Sequence, residues 1–395
     1  LNRSPFRHVR LVLERGSTFG ETDIVLQTTD QRPWRVYAGA DNTGSRTTGW
    51  ERFFVGFYLS DLFGLRHTFA YQATADSDIF TDGALPHGLS SHDPRYFAHS
   101  FSYTAPLPWR HEASIFGYYS EVHPDFGTPL TSEGRSWQVS GRYAIPLPDI
   151  WGITHEMVLG GDFKRTNNNL AFGGTAVSSS STDVVQAVLG WSGSRSDKWG
   201  ITSANAEVFA SPGGLSAFND SYDYQPSATS AGRAGARANY AYTTLELTRD
   251  QRLMAGFWMK GRLAGQISST NLLPSEQFAL GGARSIRGFR ESEALGDHGY
   301  LTSVELHAPP QKPLAALGVE DELDIYAFLD HGKTFLQHAM PGENKHETLT
   351  SVGMGLSYSW RENASIQASY GRQLVGAGIN REDDGVLSVR LVLSY

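Results

Sequence analysis

The chain closes on Gly385-Val386-Leu387-Ser388-Val389-Arg390-Leu391-Val392-Leu393-Ser394-Tyr395. Residues two apart share one face of a strand. Leu387, Val389, Leu391, Leu393 and Tyr395 therefore lie on one side, with Ser388, Arg390 and Ser394 on the other. The same period recurs in Trp137, Val139, Gly141, Tyr143 and Ile145 opposite Gln138, Ser140 and Arg142. It recurs again in Leu253, Ala255, Phe257, Met259, Gly261 and Leu263 opposite Lys260 and Arg262. Sustained helical spacing at three and four residues is hard to find. The polar faces carry Arg142, Lys260, Arg262, Asp324, Asp330 and Arg390. A soluble sandwich would produce the same alternation, so period alone does not say which face is wet.

Segment lengths go further. About 16 strands are predicted, over 34–42, 50–60, 66–76, 96–104, 111–121, 135–145, 153–164, 183–192, 198–210, 234–248, 252–266, 299–308, 322–332, 351–360, 363–373 and 386–395. Most have roughly 9–11 residues, the length with which a tilted strand crosses a bilayer. Short connections carry turn residues: Asp61-Leu62-Phe63-Gly64, Pro106-Leu107-Pro108, Pro146-Leu147-Pro148-Asp149, Arg249-Asp250-Gln251 and Arg361-Glu362. They alternate with long polar ones near 77–95, 122–134, 165–182, 211–233, 267–298, 333–350 and 374–385. Short turns on one rim and long loops on the other are the layout of an outer-membrane barrel. Trp109 and Trp151 beside short turns, and Trp50, Trp191 and Trp360 near strand ends, suit an interfacial girdle. Between Tyr242 and Leu245 the parity slips, which predicts a bulge. The connection from His307 to Asp321, with Pro309, Pro310 and Pro313, is too long for the short-turn rim.

Composition removes several function classes. The 395 residues hold no Cys, 33 Lys and Arg against 41 Asp and Glu, and a formal net charge of −8. Disulfides, thiolate zinc sites and Cys nucleophiles are excluded, and there is no basic footprint for nucleic acid. Mean hydropathy is −0.33, and the longest apolar run, Phe53 to Leu59, is far short of the roughly 20 residues of a spanning helix. The first residue is Leu1, with no charged or apolar leader behind it, as expected of a processed or partial chain. His87, His92 and His99 lack metal-ligand spacing on one element, and structural roles are expected for His298 and His331. Ser192 has Ser194 where a nucleophile elbow needs its second Gly. No phosphate-binding loop is present, so no metal, cofactor or enzyme activity is expected.

One long loop, 267–298, contains Leu280-Gly281-Gly282-Ala283-Arg284-Ser285-Ile286-Arg287-Gly288-Phe289-Arg290-Glu291. Gly296-Asp297-His298-Gly299-Tyr300 and Ser303-Val304-Glu305-Leu306 follow. This resembles the sixth extracellular loop and next strand of the two-partner secretion transporters, the TpsB family, relatives of the barrel-assembly insertase. The resemblance implies a loop folded into the lumen. The Arg of its (V/I)-R-G-(F/Y) tetrad, here Ile286-Arg287-Gly288-Phe289 with Glu291 beyond, would pair with the Asp of an F-x-D-x-G wall motif, here Phe328, Asp330 and Gly332. Parity agrees independently: Leu323, Ile325, Ala327 and Leu329 form the apolar face, so Phe328 and Asp330 point inward. A buried Arg needs such a partner, because an unpaired buried charge costs several kcal/mol. Glu305, Arg142, Lys260, Arg262 and Arg390 are expected to support the lumen side. Tyr395 resembles the terminal signal read by the barrel-assembly machinery.

The resemblance covers nearly the whole chain. Residues 1–32, from Leu1-Asn2-Arg3-Ser4-Pro5-Phe6-Arg7 to Gly20-Glu21-Thr22-Asp23-Ile24-Val25-Leu26, resemble the end of that family's second periplasmic POTRA domain. Pro33 then opens a barrel over 33–395, and Asp41-Asn42-Thr43-Gly44 matches the end of the family's first strand. Most of both POTRA domains and the plug helix lack a counterpart, so recruitment of substrate should be deficient. The expected protein is all-β: a 16-stranded antiparallel transmembrane barrel in the Gram-negative outer membrane, a monomeric pore in lipid. By resemblance it exports an unfolded exoprotein of the haemolysin or adhesin type without ATP. A diffusion porin, a barrel insertase and an outer-membrane hydrolase remain alternatives.

Overall fold

The computed structural model describes residues 7–15, 22–30, 32–81, 93–125, 130–172, 175–227, 230–376 and 384–395. Sixteen strands form one closed antiparallel barrel. They are β1 (Trp34–Asp41), β2 (Arg52–Leu62), β3 (His67–Ala75), β4 (Tyr96–Pro106), β5 (Glu112–Val122) and β6 (Leu130–Pro146). Next come β7 (Ile153–Phe172), β8 (Thr175–Asp197), β9 (Gly200–Ser211), β10 (Tyr240–Arg252) and β11 (Trp258–Ser268). The circuit ends with β12 (His298–His307), β13 (Asp321–Phe335), β14 (His346–Trp360), β15 (Ala364–Val375) and β16 (Gly385–Ser394). Among the described residues no helix is long and apolar enough to cross a membrane. Arg7–Arg15 and Thr22–Asp30 form a separate two-stranded antiparallel sheet.

The alternation resolves into an inverted protein. Val55, Ile115, Leu159, Leu189, Val208, Leu245, Leu263, Val304, Leu329, Leu387 and Leu393 are exposed on the outer surface, while Asp162, Asp183, Gln186, Gln266, Ser303 and Asp330 are buried inside. Closure removes the unpaired sheet edge that hydrocarbon would not tolerate. The seam pairs β16 with β1 from Arg390↔Asp41 to Ser394↔Tyr37. Beyond that ladder Asn42 continues it with its side chain, donating from Nδ2 to the Leu387 carbonyl at 2.7 Å and accepting from the Val389 N–H at 2.8 Å. At the other end of the seam the Val36 and Tyr395 backbones bond to each other in both directions.

Four expectations are corrected. Segment 165–182 is largely strand and β6 already begins at Leu130 within 122–134: β6, β7 and β8 run on well past the span of roughly 9–11 residues that crosses a bilayer. A ladder satisfies its own backbone, so outside the membrane it needs no apolar alternation to persist, and the Asn- and Ser-rich sequence concealed it. Arg249, Asp250 and Gln251 belong to β10, and the turn follows at 253–257, where Ala255 and Gly256 take positive φ. Arg249 had the polarity of a turn residue because its side chain pairs with Asp197 at 2.8 Å.

No bulge interrupts β10, whose register is continuous with both neighbours. Tyr240 and Tyr242 face the lumen, where their hydroxyls find polar partners, while Leu245 and Leu247 face outward. The strand also begins at Tyr240, six residues after its predicted start at 234. The long connection after His307 is itself folded. Gln311 bridges to Leu323, and Asp321 accepts from the Leu314 N–H at 3.0 Å and the Tyr358 hydroxyl at 3.1 Å.

At the long-loop end of β3, Asp76 is fully buried with Arg95 3.3 Å away, and Arg95 is claimed more closely by Asp78 at 2.7 Å. Burial pushes the Asp76 carboxyl up to about 6, with Asp78 adding to the rise, whereas its bonds from Arg95 hold Asp78 below the usual range. The fold thus favours protonated Asp76, so its contribution to stability is fullest below the unfolded value near 4 and is lost as pH rises through about 6. Asp76→Asn should raise thermal stability in detergent at pH 8 and give no gain at pH 4. A lower melting temperature for the variant at pH 8 would refute this.

Candidate functional site: the loop in the lumen

The segment between β11 and β12 enters the barrel and packs there. Ile286 and Phe289 are buried with Ala264, Leu280, Ala294, Leu301 and Leu349 in one apolar cluster. Phe278–Leu280 and Ala294–Gly296 pair as a short hairpin that closes the two legs of the loop on each other. Burial of this apolar surface holds the loop against the wall without specifying where its tip points.

Direction comes from Arg287. Its Nε and Nη2 donate to the two carboxylate oxygens of Asp330, each at 2.8 Å, and its own backbone N–H donates to Asp330 at 3.1 Å. Nη1 reaches Glu305 at 2.5 Å and Nη2 also reaches the Ser303 hydroxyl at 3.1 Å. Ser303 in turn donates to Asp330 at 2.6 Å. The guanidinium lies 3.7 Å from the centroid of the Phe328 ring, a cation–π contact on the remaining face. Asp330 is wholly buried and Arg287 nearly so. A planar fork bound to both carboxylate oxygens fixes orientation as well as charge.

The rest of the tetrad makes the approach possible. Gly288 has φ +88°, and a Cβ there would lie 2.6 Å from the Gly371 carbonyl oxygen on β15. A Cβ on Gly371 would meet the Arg287 carbonyl carbon and the Gly288 nitrogen at 2.6 Å. Gln373 Nε2 donates to the Gly288 carbonyl at 2.7 Å. Glu291 accepts from the Ala283 N–H at 2.9 Å, closing the tip on itself. Gly332 leaves room for Leu280, whose methyl carbon would lie 2.8 Å from a Cβ at that position.

The other predicted residues divide. Glu305 joins the Arg287 cluster and is itself met by His307, which bridges Glu305 at 3.1 Å and Asp324 at 2.8 Å. Arg262 touches the loop, donating to the Arg284 carbonyl at 2.7 Å while pairing with Glu246. Arg142 pairs with Asp162 at 2.7 Å, and Arg390 lies 3.8 Å from Asp41, both away from the tip. Lys260 is exposed on the lumen side of β11. Tyr395 sits at the rim, its ring 5.8 Å from Trp34 with the Arg32 guanidinium 4.9 Å away. His298 contacts Gln337 and the Ser268 N–H, and His331 contacts Thr350 and Tyr300. Among the described residues no group of three or more His, Asp or Glu could hold a metal ion.

Ser303, Gly371 and Gln373 were not anticipated as site residues. Ser303 stands two residues before Glu305 on the same inward face, a signal parity could have supplied. Nothing local marks Gly371.

A closed barrel of sixteen strands whose lumen is occupied by its own loop is an outer-membrane-type barrel with a filled lumen rather than an open channel. The chain belongs to the haemolysin secretion/activation protein family ShlB/FhaC/HecB, whose profile matches residues 20–358. It is 26% identical over 323 residues to the outer membrane transporter CdiB of Dickeya dadantii, covering 78% of this chain and 52% of that one. Against outer membrane transporter CdiB-2 of Burkholderia pseudomallei the identity is 23% over 349 residues, with coverages of 85% and 54%. The chain thus spans about half the length of these curated relatives. The fold is that of CdiB from Escherichia coli, with a TM-score of 0.78 at 18% identity over 98% of this chain and 67% of that structure. The family consists of two-partner secretion transporters, and the barrel's place is the Gram-negative outer membrane.

Proposed function

We propose that this barrel exports an unfolded exoprotein of the haemolysin or adhesin type across the outer membrane, and that the lumen loop is the gate. The observation that carries the reading is the buried bidentate pair between Arg287 and Asp330 at the tip of a loop that fills the channel. A pore that only passed small solutes would gain nothing from a directed polar lock inside it. Ile286, Gly288, Phe289 and Glu291 shape the tip, Phe328 and Gly332 form its seat, and Glu305 steadies the guanidinium. Arg142, Arg262 and Arg390 with their carboxylate neighbours Asp162, Glu246 and Asp41, together with Lys260, give the wall a mixed-sign polar lining on which an extended chain slides without binding tightly. No reaction is catalysed, and no cofactor is needed.

The sheet of Arg7–Arg15 and Thr22–Asp30 is the tail of a POTRA domain under this reading, and residues 33–395 are the pore. Tyr395 supplies the signal to the barrel-assembly machinery. The barrel works as a monomer in outer-membrane lipid. The deciding experiment is secretion of the cognate exoprotein in cells carrying the full-length transporter, together with planar-bilayer recording of the purified barrel. Export with small, noisy conductance is expected. A large, steady conductance with no export would identify a porin.

A further inference from the structure

The loop has a second polar anchor, on a different part of the wall. Its first leg makes one short turn, Pro274–Glu276, and the Glu276 carboxylate is buried there. Lys164 on β7 donates to both of its oxygens, at 2.8 and 3.0 Å. The Tyr242 hydroxyl on β10 donates at 2.9 Å and Gln186 Nε2 on β8 at 3.2 Å. Gln186 is itself fixed, donating to Asp162 at 2.9 Å and accepting from Tyr240 at 2.8 Å. The Glu276 backbone carbonyl accepts from Gln266 on β11 at 2.9 Å. Beside it Leu272 and Leu273 pack on Val184, Tyr240 and Tyr242. A carboxylate with three side-chain donors from three strands sits in a built receptor.

Lys164 on β7 and Asp330 on β13 stand six strands apart around the barrel. The loop is therefore strung between two places on the wall, the first leg on one and the tip on the other. The two anchors share no residue. Loss of the tip contact leaves the first-leg contact whole, so the tip can swing while the leg stays docked.

We propose that Glu276 is a second positioning residue for export, clamping the first leg to β7, β8 and β10 so that opening is a swing of the tip about a held base. This rests on the export reading above. It differs from wholesale ejection of the loop, in which both anchors would release together.

The absence of Cys from the chain permits spin labels at chosen sites. In the full chain, Ser203→Cys on β9 serves as the wall reference, paired with Ser275→Cys on the leg or Ser285→Cys on the tip. Pulsed electron resonance in detergent then reads each distance. Arg287→Ala should broaden the 203–285 distribution and leave 203–275 narrow. Glu276→Ala should broaden 203–275 and reduce export by about tenfold. Exchange of the two charges, Glu276→Lys with Lys164→Glu, should narrow 203–275 again and recover at least part of export, which a merely space-filling role for Glu276 would not produce. Barrels that fail the heat-shift assay on gels are replaced by Glu276→Gln, which retains the shape and loses the charge, and should broaden 203–275 to a smaller extent.

An unchanged 203–275 distance in both Glu276 variants would overturn the clamp. So would broadening of both distances by Arg287→Ala, or full export with the leg released. The distances are read without any exoprotein. If the wild type fails to export while the distances behave as expected, the export reading falls and the clamp stands.

Discussion

Arg287→Ala abolishes export while the barrel still assembles; this is the expected result, and the reason is an asymmetry in what the residue touches. Its contacts run from the loop to Asp330, Glu305 and Ser303 and include none of the ladder bonds that close the sheet. Removing one partner of a buried pair costs about 3–5 kcal/mol, because the other charge is left buried without compensation. Asp330 would retain only the Ser303 hydroxyl and the loop backbone N–H. Each 1.4 kcal/mol is tenfold in an equilibrium, so the docked tip loses roughly two to three orders of magnitude in population against undocked ones. The heat-shift assay checks assembly and exoprotein in the medium checks export. Arg287→Lys should recover little, since an ammonium ion cannot span both oxygens and Ser303 with fixed geometry. The paired exchange Arg287→Asp with Asp330→Arg should restore part of the activity. Wild-type export by the alanine variant, or a paired exchange no better than either single change, would remove direct pairing as the basis of the gate.

How much of this was legible before the structure depends on whether a feature follows a period. The sixteen strands follow one, and the fold predicted from them is the fold observed. Asp330 was legible because one parity count on 323–330 sends it inward. Two of the failures share a cause, which is that a two-letter apolar and polar code misreads side chains of mixed character. Tyr240 and Tyr242 counted as apolar and suggested a bulge, yet their hydroxyls bond to Gln186 and Glu276 inside the lumen. Arg249 counted as turn polarity, yet it sits in a strand and pairs across to Asp197. Glu276 was invisible for a different reason. Its cation, Lys164, is 112 residues away, and no local spacing on either side refers to the other. Closure of the barrel is what brings the two together, so the pair belongs to topology rather than to sequence pattern.

Gly371→Ala should impair export in the same direction as the loss of Arg287 and to a smaller extent, although it alters no charge and no hydrogen bond. The position faces the loop from β15, where a new Cβ would stand 2.6 Å from the Arg287 carbonyl carbon and the Gly288 nitrogen and 2.8 Å from the Arg287 carbonyl oxygen. All three are backbone atoms, so no side-chain rotation relieves the overlap. The loop has little freedom to yield, since Gly288 already holds φ +88° and Arg287 is fixed at its far end by Asp330. Overpacking of this kind costs about 1–3 kcal/mol, which the system can escape by giving up the docked tip. The strand itself is undisturbed, because any residue can occupy its extended backbone and Gly371 keeps its ladder partners Gly353 and Val386. The expected outcome is an assembled barrel with faster labelling of a Cys at position 285, whose serine side chain is now buried without a partner, and with export reduced about five- to hundred-fold, the range that those energies imply. Gly288→Ala should behave alike and for a second reason, the unfavourable φ. Combining both with Arg287→Ala should add almost nothing, because a tip that has already left the wall no longer meets the added methyl groups. Additive losses in the triple variant would mean that the close approach of β15 serves something other than docking of the tip.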